Sequence, residues 1–224
     1  DIYRPYKPKR KTRASVAKAR GLEPLAQAIF AQKPGLDVNA EAAKYINDEV
    51  PDAEAALAGA RDIIAEQVSD DAALRAQLRR FYQTFGLVKS RAAKEEDSVY
   101  AGYYDFSQAV NKIAGHRVLA LDRGEREGFL KVTVEVDAEK AVGGIRRMFV
   151  KAGGGPSAAQ VSAAVEDAYT RLIHPSLERE VRSNLSDEAA EGAIQVFGEN
   201  LRQLLLQPPI KGKVALGMDP GYRM

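Results

Sequence analysis

The residues that could carry out chemistry in this 224-residue sequence are few and widely separated. There is no cysteine, which excludes a disulfide framework, a thiolate zinc site and a cysteine nucleophile. His116 and His174 are the two histidines; either could act as a general base, but each is expected to be structural at a helix terminus. The acidic run 95–97 could bind a cation, although an exposed charged turn is the favoured interpretation. We therefore expect a non-enzyme, with no cofactor and no metal site.

One carboxylate stands out by its position in the sequence. Residues 214–218 predict a buried strand, and Asp219 follows directly, ahead of Pro220 and Gly221. An aspartate at the end of a first strand, followed by glycine, is typical of a metal-binding carboxylate in RNase H-like nucleases. Two-metal chemistry needs several such carboxylates, and only five residues follow Asp219. We expect no complete site of this kind within these residues.

The charge distribution indicates a binding function. The net charge is +2, but eight Lys and Arg side chains against Asp1 give residues 1–20 a charge of +7 and leave −5 for the rest. A basic arm of this kind favours a polyanion partner or an acidic docking surface on the same protein, and a solvated N-terminus is the plainer alternative. Tyr3 and Tyr6 suit base stacking beside phosphate contacts, or anchor the arm to the body. The predicted nucleic-acid-binding residues are Lys7, Lys9, Arg10, Lys11, Arg13, Lys18 and Arg20.

The periodicity of apolar residues predicts a mainly α protein with a multi-helix body. Thr12 is a suitable N-cap for a helix to Ala19, and a second helix over 23–31 follows the stop at Gly21, so the pair resembles a helix-turn-helix. Residues 129–136 alternate as a strand, and residues 87–91 are the expected antiparallel partner in one small β-hairpin. A short helix is expected from Ser107 to Ala114.

Two amphipathic seams are predicted, and the first is expected to be buried, although the sequence does not separate a core face from a docking surface. The first seam comprises Leu74, Leu78, Phe81, Tyr82 and Phe85. The second and stronger seam comprises Ala190, Ile194, Phe197, Leu201, Leu204 and Leu205, on a helix that Ser186 would cap. Ser157 would likewise cap a helix after the glycine-rich break at 153–156.

The composition along the chain divides it into four predicted segments. These are a basic arm with the helix-turn-helix-like element (1–36), a central helical region with the β-hairpin (37–152), C-terminal helices (153–209) and a truncated first strand of an RNase H-like domain (210–224). Both ends are expected to be cuts through a longer protein. No run approaches the roughly 18 apolar residues that a membrane span needs, so a membrane partner is not expected.

Several blocks of the sequence jointly resemble the bacterial Tex (transcription accessory protein) family. They are 2–13 (IYRPYKPKRKTR), 21–25 (GLEPL), 115–120 (GHRVLA), 123–125 (RGE), 127–128 (EG), 199–206 (ENLRQLLL) and 216–223 (LGMDPGYR). The resemblance implies the helical N-terminal and central region of Tex, ending where the family's RNase H-like (YqgF-type) domain begins. Helix-hairpin-helix modules and an S1-type RNA-binding domain follow in that family. Met224 departs from the pattern, which continues with Thr and Gly, and so nothing about the next domain's activity is carried over.

The resemblance also implies a function. We expect a non-catalytic helical scaffold, cytoplasmic, that binds RNA or DNA without sequence specificity and acts in transcription, with the transcription machinery as a further partner. The alternative is a protein-interaction module that docks on that machinery or on the protein's own downstream domains. The oligomeric state is left open by the sequence.

Overall fold

The computed structural model describes residues 11–94, 96–208, 211–214, 216–219 and 221, and over these residues the protein is mainly α with one small sheet. This confirms the expected fold class. In chain order the helices and strands are α1 Arg13–Ala19, α2 Glu23–Ala31, α3 Val38–Ala43, α4 Ala53–Asp70, α5 Ala72–Phe85, β1 Leu87–Ala92, β2 Asp105–Ala109, α6 Gly115–Arg126, β3 Leu130–Glu135, α7 Ala138–Phe149, α8 Gly155–Asp167 and α9 His174–Leu205.

Helix α4 lies at the centre of the helical body. It packs against α1, α2, α3 and α8, and it buries small and branched side chains on several faces. Asp52 begins the helix by accepting a hydrogen bond from the backbone N–H of Ala55 at 2.7 Å. At Gly59 the α1–α2 turn comes so close that an added Cβ would lie 2.4 Å from Cδ1 of Leu22. The N-terminal helices are therefore fixed on α4 by close packing.

The two N-terminal helices have the bounds that the sequence predicts. Thr12 caps α1 because its hydroxyl accepts from the backbone N–H of Ser15 at 3.0 Å, and the Ser15 hydroxyl accepts from the N–H of Thr12 at 2.9 Å. Gly21 makes the turn in the left-handed region, with φ +79°. Leu25 and Ile29 of α2 are fully buried. The pair is thus a fixed helical hairpin on the body.

The sheet has three antiparallel strands in the order β2-β1-β3, not the two of the expected hairpin. The predicted pairing of β1 with β3 is confirmed, with Val88 opposite Val134. The helix expected from Ser107 is wrong, because residues 105–109 form β2 and place Ser107 opposite Lys89. Residues 105–109 satisfy the second edge of β1, whose backbone groups would otherwise lack partners.

Helix α9 is one continuous helix where a break at Ser186 was expected. It follows a π-helical turn over 168–173, and Pro175 lies in its first turn. Ser186 does not cap a helix, because its hydroxyl donates to Asp122 Oδ2 on α6 at 2.6 Å. Ser157 does not cap α8 either, since the N-cap is Gly154 and the Ser157 side chain is buried within the first turn. Tertiary packing overrides both capping signals.

The second half of α9 is exposed, so the second predicted seam is not part of the core. Every residue from 190 to 208 is exposed, including Ile194, Leu204 and Phe197, whose ring is 67% exposed. No element of the described chain packs along this stretch, so its apolar face is formed but not covered.

Residues 211–221 carry no strand among those that the structure describes. Val214, Leu216 and Met218 are exposed rather than buried, because no neighbouring strand pairs with them among the described residues. Residues 209, 210, 215, 220 and 222–224 lie outside the described residues. The four-segment division and the RNase H-like assignment of 210–224 stay predictions.

None of the helices that the structure describes combines the length and the apolar character needed to cross a membrane.

Candidate nucleic-acid interface

The predicted binding residues divide into two groups. Lys7, Lys9 and Arg10 lie outside the described residues. The other predicted residues lie on or beside α1, and all are exposed; they are Lys11, Arg13, Lys18 and Arg20. Because the α1–α2 turn is packed tightly on α4, the position of this described group is set by the body.

Half of the described group has acidic partners on that body. Lys18 Nζ lies 3.4 Å from Glu66 Oε2, and Arg20 Nε lies 4.0 Å from Glu49 Oε2. Lys11 and Arg13 make no ion pair within the part of the chain that the structure describes. Exposed pairs of this kind are worth about 0–1 kcal/mol, so a phosphate can replace the carboxylate at little cost. Arg13 and Lys11 are open to a polyanion, while Lys18 and Arg20 are held near α4.

Helix α2 is poorly equipped to read bases. A recognition helix presents Arg, Lys, Asn or Gln to the base edges. Helix α2 has the sequence EPLAQAIFA, whose one side chain of this kind is Gln27. Any contact of the helical hairpin with nucleic acid would therefore come from the cations of α1, and the helix-turn-helix likeness stays a prediction.

Of the residues suspected of chemistry, His174 and Asp219 make local contacts, whereas His116 does not. The Tyr82 hydroxyl lies 2.6 Å from Nδ1 of His174 and 3.3 Å from the hydroxyl of Tyr169, and burial raises the pKa of Tyr82. His116 lies in the first turn of α6 but is exposed, and it neither caps nor packs there. Asp219 accepts a hydrogen bond from the backbone N–H of Gly221 at 2.9 Å. Among the described residues, no group of three or more His, Asp or Glu side chains is arranged to hold a metal ion.

The aromatic run 98–106 packs against the core. Tyr100 is buried, and its hydroxyl donates to Glu127 Oε2 at 2.8 Å, which together with Arg123 lowers the pKa of that carboxyl. Tyr103, Tyr104 and Phe106 are partly buried against the same core. These rings are therefore not available for base stacking.

The sequence missed a second cationic surface, on α5 and α7. Arg80 and Arg147 are exposed, and neither makes a hydrogen bond or ion pair with a described residue. Both border a depression of about 790 Å³ whose wall includes Phe85, 64% exposed although it belongs to the predicted α5 seam. The local signal was the Arg79-Arg80 pair beside Phe81, but the facing Arg147 is 67 residues away in the sequence, so spacing could not reveal the pair.

These features define a class of protein: a mainly α domain around a central helix, with a small antiparallel sheet and with positive charge concentrated before and along its first helix. The chain belongs to the Tex family, since the model of the "Tex central region-like" family matches residues 33–197. It is 44% identical to protein YdcI of Bacillus subtilis, covering 100% of this chain and 32% of that protein. It is 36% identical to the transcriptional accessory protein Tex of Neisseria gonorrhoeae, covering 100% and 30% respectively. It is 30% identical to S1 RNA-binding domain-containing protein 1 of Pongo abelii, covering 98% and 24%.

The chain spans about a third or less of the length of these relatives. The family membership therefore makes it a Tex-like, transcription-related region.

Proposed function

We propose that this chain is a non-catalytic helical scaffold of a Tex-like transcription accessory protein, and that its N-terminal cations bind the phosphate backbone of RNA or DNA. The observation that carries this proposal is the charge of +7 in residues 1–20 against −5 in the remainder. Exposed Lys11 and Arg13, without ion-pair partners among the described residues, support it. The names of two relatives, a transcriptional accessory protein and an S1 RNA-binding domain-containing protein, agree with it.

The carboxylates of the body support the non-catalytic part of the proposal. Glu178 Oε1 accepts the backbone N–H of Val134 at 3.1 Å, and Glu180 pairs with Arg79. These two groups tie α9 to the sheet and to α5, which gives each of them a structural role.

Replacing Lys9, Arg10, Lys11 and Arg13 with alanine is expected to weaken nucleic-acid binding at low salt by about tenfold or more, because each phosphate that is no longer neutralised keeps its counterions. The slope of log K against log salt should become shallower by roughly 0.7–0.9 for each such phosphate. Fluorescence anisotropy with a labelled RNA and a labelled duplex DNA, over a salt series, measures both quantities.

A matched control removes the same charge from the body. Lys33, Lys112, Arg126 and Arg179 are exposed cations elsewhere on the chain, and their replacement by alanine should leave the salt slope nearly unchanged. Equal losses of affinity in the two variants would show that affinity depends on net charge alone and not on the position of the N-terminal cations. Absence of binding by the wild-type chain at low salt would contradict the proposal for this region.

The exposed half of α9 favours a second candidate function, a protein-interaction module. Apolar side chains at 194, 197, 201 and 204 recur at helical spacing, and all are exposed. An uncovered apolar face of this extent marks an interaction site in many proteins. Its partner would be the transcription machinery or further domains of the same protein.

The variant Ile194→Lys, Phe197→Lys, Leu204→Lys tests this second function. It should change the thermal midpoint by less than about 2 °C, because all three side chains are exposed in the folded chain. It should abolish the retention of the chain by purified RNA polymerase in a pull-down, which the wild type should show. Equal retention of both proteins, or of neither, would argue against docking on the machinery through this face.

A further inference from the structure

The groove between α5 and α7 has a lining that is unusual for a protein surface. Its depression of about 790 Å³ continues into a second one of about 610 Å³, and both share Phe81, Phe85, Asp137 and Lys140. The rings of Phe81 and Phe85 lie 5.3 Å apart, centroid to centroid, with Phe85 turned mostly to solvent. The two rings thus form an exposed aromatic surface where the two depressions meet.

The accessible part of this lining is aromatic and cationic rather than aliphatic. Leu74, Leu78 and Ile145 belong to the wall but are almost fully buried, so they offer little surface to an occupant. Arg80 and Arg147 are exposed on the two facing helices. A groove for an amphipathic peptide helix presents aliphatic pockets, whereas a ring flanked by guanidinium groups suits a stacked base and its phosphates.

The charge of the groove is complementary to a polyanion. Three cations and two carboxylates line the larger depression. Asp137 is already engaged, since it accepts the backbone N–H of Lys140 at 3.0 Å and pairs with Lys140 Nζ at 3.0 Å. One carboxylate, Glu139, then remains to balance two guanidinium groups. These belong to Arg80 and Arg147, which have no ion-pair partner among the described residues. The groove therefore presents an excess of positive charge to a phosphate backbone.

Two consecutive glycines in α7 provide an independent observation. Gly143 and Gly144 line the groove in the middle of the helix, where glycine disfavours helix formation relative to alanine. A Cβ at Gly143 would meet no atom within 4 Å, and one at Gly144 would meet only Arg147 Nη2, at 4.0 Å. Packing among the described residues gives no reason for either glycine. Glycine at such a place permits the backbone to come close to a ligand.

We propose that the α5–α7 groove binds one single-stranded segment of nucleic acid, with a base stacked on Phe85, phosphates at Arg80 and Arg147, and the strand passing over Gly143 and Gly144. The inference rests on the proposed nucleic-acid-binding function and assigns it a second surface, on the body. Stacking requires an unpaired base, so single strands bind this groove in preference to duplexes. No base edge is read, and binding is tolerant of sequence.

The path of the strand continues along the open face of the sheet. The smaller depression extends from Phe85 to Leu87 and Lys89 on β1, and the exposed Arg91 follows on the same face. Lys89 Nζ lies 2.6 Å from Glu135 Oε2, and Arg91 Nη2 lies 3.4 Å from Glu135 Oε1. A phosphate that bound these cations would therefore have to replace the Glu135 carboxylate. The groove beside Phe85 is therefore the anchor, and the sheet face contributes secondary contacts.

The test is an anisotropy titration of the full chain with labelled oligouridine, alone and annealed to its complement. Phe85→Ala should weaken single-strand binding by about tenfold, while Phe85→Tyr, which keeps a ring, should restore it. Arg80→Gln with Arg147→Gln should weaken binding and reduce the salt slope by roughly 1–2. Duplex binding should change little in all of these variants.

Replacement of the two glycines is the most discriminating test, because the variant should be more stable than the wild type and yet bind single strands more weakly. Gly143→Ala with Gly144→Ala should raise the thermal midpoint by about 2–4 °C or more, since helix-interior glycines are replaced without a clash. The same variant should weaken single-strand binding at least fivefold. The control is Gly192→Ala with Gly198→Ala on α9, where an added Cβ also meets nothing within 4 Å; it should leave binding unchanged.

The outcomes separate this inference from the proposed function. Unchanged single-strand affinity in the groove variants, together with weaker binding by the Lys9, Arg10, Lys11, Arg13 variant, overturns the groove and leaves the proposed function standing. No binding of either nucleic acid by the wild-type chain overturns both. Phe85-dependent binding of an acidic aromatic peptide, without Phe85-dependent binding of RNA, makes the groove a peptide site and overturns the inference.

Discussion

Replacing Tyr82 with alanine is expected to lower the free energy of unfolding by about 3–5 kcal/mol, as for other large aromatic truncations in a core. The Tyr82 side chain is 0% exposed and lies between α5 and the start of α9. Its removal leaves a cavity and also takes the hydroxyl away from His174 and Tyr169. Urea unfolding followed by circular dichroism, with a shared slope for all variants, measures the change.

Two further variants separate the causes of this destabilisation. Tyr82→Phe keeps the ring and should cost about 1–3 kcal/mol, since it leaves polar atoms of His174 and Tyr169 without their partner. Phe85→Ala, one turn further along the same helix, should cost less than about 1 kcal/mol because its ring is largely in solvent. If Phe85→Ala destabilised the chain as much as Tyr82→Ala, the assignment of a buried and an open side to α5 would be wrong. That assignment bears on the proposed groove, because Tyr82 positions the helix that carries Phe85.

The sequence predicts a local feature well where the signal is contained in a few neighbouring residues. The Thr12 cap, the turn at Gly21 and the strand at 129–136 all follow from patterns of this kind. β2 does not, because the sequence 105–109 (DFSQA) has weak strand character. It is a strand because β1 has a free edge beside it, and that is a tertiary cause.

Amphipathic periodicity identifies an apolar face but does not say what covers it. The α5 seam runs from buried Leu74 to exposed Phe85, and the stronger α9 seam is exposed along its whole length from Ala190. Because α9 continues past Ser186, the apolar face of its second half lies away from the helical body. The partner that the pattern implies is absent among the described residues, so the strongest hydrophobic signal in the sequence marks a face that these residues do not cover.

The electrostatics of the candidate site could likewise be predicted only in part from the sequence. The excess of positive charge near the N-terminus follows from counting residues. The pairing of Lys18 with Glu66 joins residues 48 positions apart, and it depends on how α1 packs on α4. Arg80 and Arg147 likewise face one groove only in the folded chain. Charge segregation is therefore readable from sequence, whereas the number of cations free to bind phosphate is a property of the fold.

The second large effect is expected at Arg182, which joins α9 to α6 and to the sheet. Its guanidinium donates to Asp122 Oδ1 at 2.9 Å, to Glu125 Oε2 at 2.8 Å and to the backbone carbonyl of Val132 at 2.9 Å. The side chain of Arg182 is only 19% exposed. Arg182→Ala leaves a half-buried carboxylate and a strand carbonyl without their donor, so we expect the free energy of unfolding to fall by about 2–3 kcal/mol. Arg179→Ala, one turn earlier and exposed, should cost less than about 0.5 kcal/mol.

A double-mutant cycle distinguishes the ion pair from simple loss of packing at Arg182. Asp122→Ala alone should also destabilise, because Asp122 Oδ2 accepts the Ser186 hydroxyl as well. The double variant Arg182→Ala, Asp122→Ala should cost less than the sum of the two single variants by about 1–2 kcal/mol, since neither charge is then left unpaired. Strict additivity in urea unfolding would mean that the two charges do not interact. The attachment of α9 would then depend on its apolar contacts through Leu177 and Val181, and the direction in which its exposed second half projects would not be set by Arg182.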